Sequence, residues 1–96
     1  SIDNSEVTEK VIATACSAFP GVPVFARGHD LAGCQKLRAS GASFTVSETF
    51  EASVELARET LLHLGEDNAE VEAVLENFRK KYYRPIEEIG GGEAVD

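Results

Sequence analysis

The segment Pro23-Val24-Phe25-Ala26-Arg27-Gly28-His29-Asp30 constrains this chain most, because a short β-favouring run stops there at a polar cluster able to open a helix. A strand that passes into a helix this abruptly belongs to an alternating α/β arrangement. In such folds strand carboxyl ends and helix amino ends converge, and ligands bind where they meet.

The flanking sequence continues the alternation. Asp3 and Glu6 stand at capping-box spacing, and Val7, Val11, Ile12 and Ala15 then share one helical face until Pro20-Gly21 breaks the pattern. This predicts a helix over about residues 5–18 and a strand over 22–26, with Pro23 tolerated at the strand's start. Asp30 is placed to cap a helix over 31–39 with Leu31, Cys34 and Leu37 inward, and Gly41 fits its C′ position. A second β-type run covers 42–46. Ser47-Glu48 then opens a long helix on which Phe50, Val54, Ala57 and Leu61 recur at helical spacing until Gly65. Asp67 and Glu70 form another capping-box pair, followed by the stripe Val71, Val74, Leu75, Phe78 and Tyr82 on a helix reaching about Arg84. Arg79, Lys80 and Lys81 lie towards its end, where cations complement the helix dipole. Residues 85–96, with Gly90-Gly91-Gly92, lack any apolar period and read as a flexible tail.

Two strands alone make a poor parallel sheet, since such sheets are normally wider and covered on both faces. At 96 residues the chain reads as one unit, the half of a larger α/β domain. It also starts at a capping cluster without an initiator methionine, as a piece of something longer would. The net charge of −8 opposes binding to nucleic acid or to an anionic membrane. No apolar run approaches the roughly 20 residues that span a bilayer, so the chain reads as soluble and not inserted in a membrane. Cys16 and Cys34 match no metal or redox spacing and read as buried thiols of a reducing compartment. His29 and His63 are too far apart for a local metal motif.

The order and spacing of Ile2-Asp3-Asn4, Phe19-Pro20, Ala26-Arg27-Gly28-His29-Asp30, Leu37-Arg38-Ala39-Ser40-Gly41-Ala42, Glu48-Thr49-Phe50-Glu51, Leu61-Leu62-His63-Leu64-Gly65 and Phe78-Arg79-Lys80-Lys81 carry a resemblance. Together they resemble the TrkA-N, or regulator-of-potassium-conductance, domain of potassium efflux antiporters. The resemblance spans residues 2–84 and implies the second half of a Rossmann-like parallel sheet, with about two strands and four helices. Residues 1–84 would then be a partial TrkA-N regulatory domain and 85–96 its tail. The implied partners are the missing first half of that domain, the antiporter's membrane domain on whose cytoplasmic or stromal face it sits, and a second copy in a homodimer. AMP or NAD(H) is the cofactor class implied for the whole domain. This chain has no GxGxxG, so the pyrophosphate site would lie in the missing half. Glutathione-gated bacterial members read Ala-Arg-Ala-Arg-Asp where this chain has His29 at the second arginine, which leaves a plastid-type or cyanobacterial-type antiporter equally open.

Several residues follow as candidates from that resemblance. Asp3 and Asn4 would sit at a strand's carboxyl end near the ligand crevice, with helix capping as their simpler role. Arg27 can grip a carboxylate or phosphate of a regulator, or pair with one of the chain's own acids. His29 adds a side chain of the type that gains a proton near neutral pH, or is plain surface. Asp30 is read as a cap, and Lys36, Arg38 and His63 as solvated. Phe50, Val54, Ala57 and Leu61 are core residues that in this family also border the dimer interface. The function so implied is non-catalytic ligand sensing. Two alternatives stand beside it: a stand-alone interaction module, and the distal half of a nicotinamide-dependent dehydrogenase using His29 with Asp30.

Overall fold

The computed structural model describes residues 4–89. Its elements are α1 (Asn4–Ala18), β1 (Phe25–Gly28), α2 (Leu31–Ala39), β2 (Phe44–Ser47), α3 (Glu48–His63) and α4 (Asn68–Glu87). β1 and β2 pair in parallel, with Phe25 opposite Phe44 and Gly28 opposite Ser47. The expected class, a partial α/β sheet of two parallel strands with four helices, is the one the chain adopts.

Both strands start later than the β-favouring runs predict. Residues 22–24 approach the second run through a side chain: the Val24 N–H donates to Ser43 Oγ at 3.0 Å, and the Ser43 N–H returns to the Val24 carbonyl at 2.7 Å. The regular ladder begins only past this exchange and then continues to Gly28, two residues beyond the expected end.

Helix starts follow the capping chemistry. Asp30 Oδ1 accepts from the Gly33 N–H at 2.9 Å, Ser47 Oγ from the Phe50 N–H at 3.2 Å, and Asp67 Oδ2 from the Glu70 N–H at 3.1 Å. Each satisfies an orphan amide, worth about 1 kcal/mol. α2 ends as expected at Gly41, whose φ of +122° suits glycine and whose missing Cβ would lie 2.7 Å from Cys16 Sγ.

α4 runs past the expected end near Arg84 and takes Pro85 into its last turn. Proline has no amide to donate to the carbonyl four residues back, so contacts elsewhere must offset that loss. Two ties hold the extension: Ile86 is buried, and the Ile89 carbonyl accepts from Arg38 Nε at 3.1 Å. Residues 85–89 of the expected tail are therefore helix and turn, and 90–96 lie outside the described residues.

Two small cores result. Ile12, Leu37 and Ala42 gather Cys16, Val24 and Ala26 where α1 and α2 meet the strands. Val54, Val71 and Leu75 gather Phe50, Ala57, Leu61 and Leu62 between α3 and α4. Of the predicted α1 stripe only Ile12 is buried, whereas Val7 and Val11 are exposed. Strand residues alternate between faces. Gly28, Thr45 and Ser47 are buried on the α2 side, while the Phe25 and Phe44 rings meet at a tilt, with centroids 5.7 Å apart, on the opposite face and remain 73% and 55% exposed. One face of the sheet is thus left largely open.

Candidate functional site

The carboxyl end of β1 delivers Arg27, Gly28 and His29 beside the amino ends of α2 and α3. α2 approaches β1 closely because Gly28 has no side chain: a Cβ there would lie 2.8 Å from the Cys34 amide nitrogen. Parallel pairing sets Gly28 against Ser47, so Glu48 at the start of α3 comes level with the β1 end. A hydrogen bond from the Thr49 N–H to the His29 carbonyl, 3.0 Å long, fixes that approach. Arg27 Nε lies 2.9 Å from Glu48 Oε2, and His29 Nδ1 lies 3.8 Å from Glu48 Oε1. Lys36 of α2 completes the cationic side of a cleft of about 610 Å³, and Ser5 and Thr8 of α1 help line it. The cleft can receive an anion of nucleotide or peptide size, with Arg27 able to donate from several N–H groups.

A polar hub lies just beyond, where the two cores meet. Ser47 is fully buried; its N–H donates to Tyr83 Oη at 3.0 Å, and its hydroxyl shares a hydrogen bond with Tyr82 Oη at 3.0 Å. Tyr82 stacks on Phe50 with ring centroids 3.9 Å apart. Tyr83 donates to Glu51 Oε2 at 2.7 Å, and burial pushes its phenol well above the ordinary value, so the donor proton stays in place. Arg79 then clamps Glu51 with Nη2 and Nε at 2.8 and 3.3 Å. Hydrogen bonding from Arg79 is the main reason that the Glu51 carboxyl is held below its usual range. α4 is thereby tied to the same β2–α3 junction that supplies Glu48 to the cleft.

Arg27 and His29 are brought together as the sequence suggests. Asp3 lies outside the described residues, and Asn4 opens α1. Asp30 and His29 separate, since the Asp30 carboxylate caps α2 while His29 turns towards Glu48. Phe50, Val54, Ala57 and Leu61 face α4 within the chain. Sequence reasoning missed Glu48 as a cleft residue, and the signal that would reveal it is the parallel register. It also missed Arg38, expected to be solvated; Arg38 instead bridges the Ser43 and Ile89 carbonyls. A second concavity of about 370 Å³, between Phe44, Val46, Tyr83 and Ile86, has Arg38 and Arg79 on its rim, but both guanidinium groups are already engaged internally. Among the described residues no three His, Cys, Asp or Glu side chains converge on a metal-sized site. No helix among them is long and apolar enough to cross a membrane.

Two parallel strands with helices packed along them, and a cleft at the strand ends, make a partial Rossmann-like α/β arrangement. No family model matches the chain. It is 31% identical over 78 residues to a glutathione-regulated potassium-efflux system protein of Haemophilus influenzae, a match covering 81% of this chain and 13% of that protein. It is also 31% identical over 71 residues to the chloroplastic K(+) efflux antiporter 2 of Arabidopsis thaliana, covering 74% of this chain and 6% of that protein. The glutathione-regulated potassium-efflux system protein KefC of Salmonella paratyphi B is 29% identical over 92 residues, covering 96% of the chain and 15% of that protein. The chain belongs to the potassium-efflux antiporter family, as a homologue of a segment of these proteins. It spans less than a sixth of the length of these relatives, all of which carry transport names rather than enzymatic ones.

Proposed function

We propose that this chain is a cytosolic or stromal regulatory segment of a monovalent cation/proton antiporter mediating potassium efflux, and that it senses a ligand and pairs with a second copy. The observation that carries this reading is the strand-end cleft of a potassium-efflux homologue, where Arg27, His29 and Lys36 share the lining with two carboxylates, Glu48 beside Arg27 and Asp30 at the cap of α2. AMP or NAD(H) would span this cleft and a glycine-rich loop in the other half of the sheet. Glutathione, which appears in the names of the bacterial relatives, offers carboxylates to the same side chains. Asp3 and Asn4 would be further ligand contacts, as the resemblance implies. Pairing would use the α3–α4 hairpin: Phe50, Val54, Ala57 and Leu61 join its helices, and Val74 and Phe78 add apolar surface that is 47% and 56% exposed. Gating is then a population shift, in which the ligand moves the transporter only as far as its affinities for the two paired arrangements differ.

Potassium flux through the full-length protein in proteoliposomes tests this, with AMP, NADH or glutathione added on the side that carries this segment. R27A combined with H29A is expected to abolish the ligand response and to leave ligand-independent flux within about twofold of the parent. An unchanged response in the double variant would contradict the reading.

A further inference from the structure

We propose that Glu48 is a built-in competitor for the ligand of the strand-end cleft, an internal carboxylate that an external carboxylate or phosphate must displace from Arg27. This inference rests on the proposed ligand-sensing role of the cleft.

The arginines of the fold are not used alike. Arg38 spans two backbone carbonyls, Arg58 grips both oxygens of Glu72 at 2.7 and 3.2 Å, and Arg79 grips both oxygens of Glu51 at 2.8 and 3.3 Å. These are multidentate ties that lock elements together. Arg27 is held differently. Glu48 divides its oxygens, placing Oε2 on Arg27 Nε at 2.9 Å and Oε1 3.8 Å from His29 Nδ1. The pair is also open to water, with the Arg27 and Glu48 side chains 74% and 46% exposed.

A single-point contact in solvent contributes little. An incoming anion that engages Arg27 through two parallel N–H groups forms the stronger geometry, and Lys36 stands on the same cleft to meet a second charge. Glu48 therefore has the properties of an occupant that can be exchanged: it neutralises Arg27 until a better anion arrives and then yields. Its displacement also has somewhere to go. Glu48 is the first residue of α3, next to the buried Ser47 that holds Tyr82 and Tyr83 of α4, so exchange at the cleft acts directly on the α3–α4 attachment.

Affinity in the full-length protein separates the possibilities. Inorganic phosphate, AMP and glutathione are titrated calorimetrically into the parent, E48Q, E48D and the charge-matched surface control E66Q, each checked for folding by circular dichroism. E48Q is expected to bind the matching probe about threefold more tightly, the range set by loss of one exposed pair. E48D, which keeps the charge but shortens its reach, is expected to fall between E48Q and the parent, and E66Q to match the parent. Binding to AMP alone or to glutathione alone would identify the source of the anion and support the inference if the E48Q gain accompanies it. Equal or weaker binding by E48Q, with the parent still binding, would overturn the competitor role and leave the ligand-sensing reading standing. Failure of all three probes on every variant would overturn both.

Discussion

At the scale of single residues, the site depends on Gly28 as much as on its charged neighbours. A methyl group there meets the Cys34 backbone nitrogen at 2.8 Å and Cys34 Sγ at 3.0 Å, so β1 and α2 must separate to accept it. Gly28→Ala is expected to cost about 1–3 kcal/mol, the range for overpacking a tight contact, and thermal unfolding checks it; an unchanged midpoint would show that α2 yields freely. Burial pushes the Cys34 thiol up, which makes it a poor nucleophile in the native state. Cap residues were legible in the sequence because capping is a local rule, as Asp30 and Asp67 demonstrate. Arg38 and Glu48 were not, since Arg38 reaches Ile89, 51 residues away, as well as nearby Ser43, and Glu48 reaches Arg27, 21 away, and no local rule selects such long-range ties over a solvated charge.

Among the elements, attachment of α4 to the β2–α3 junction is the decisive contact, and it is polar. Tyr83 accepts from the buried Ser47 N–H and donates to Glu51. Tyr83→Phe leaves that amide without its acceptor and is expected to cost about 1–3 kcal/mol, measured by denaturant unfolding; a change under a few tenths would mean that the hub is held by stacking alone. The Glu51 carboxyl is held below its ordinary 4.5, mainly by hydrogen bonding from Arg79 and against the opposing effect of burial. Its folded value is lower than its unfolded one, so its stabilising contribution is complete above about pH 4.5 and disappears as pH falls through the lower folded value. Glu51→Gln is therefore expected to flatten the loss of stability on acidification below that pH, and a parallel acid profile would contradict it. The helices were readable from period and caps, but the strand ends were not. Residues 22–24 have β-favouring side chains yet pair through Ser43 Oγ, a detail fixed by the neighbouring chain segment and not by propensity. Likewise Pro85 marks a helix end by local rule, and Ile86 and Arg38 carry α4 past it by tertiary contact.

For the whole molecule, the dimensions match an unfinished sheet. Its radius of gyration is 15.8 Å, whereas a compact domain of this length has about 12 Å. The smallest extent is 18 Å, room for a sheet and one helical layer where a closed α/β sandwich has two. Phe25 and Phe44 lie on the uncovered face, and Val74 and Phe78 project from α4. Apolar surface of this kind favours association. Light scattering of the purified chain is expected to give a dimer or larger species that V74E combined with F78E shifts towards monomer. A monomer at every concentration would count against pairing through α4. The two-strand count among the described residues was legible from the sequence. Division into two cores joined by a polar hub was not, because it depends on where α4 lands.

The central claim, that an anionic ligand is read at the strand-end cleft, is tested most directly by hydrogen exchange on the full-length protein with AMP, NADH and glutathione in turn. At least one of them is expected to slow exchange across residues 27–30, at the β1 end and the start of α2. Unchanged exchange there with all three, at concentrations that alter potassium flux, would contradict it.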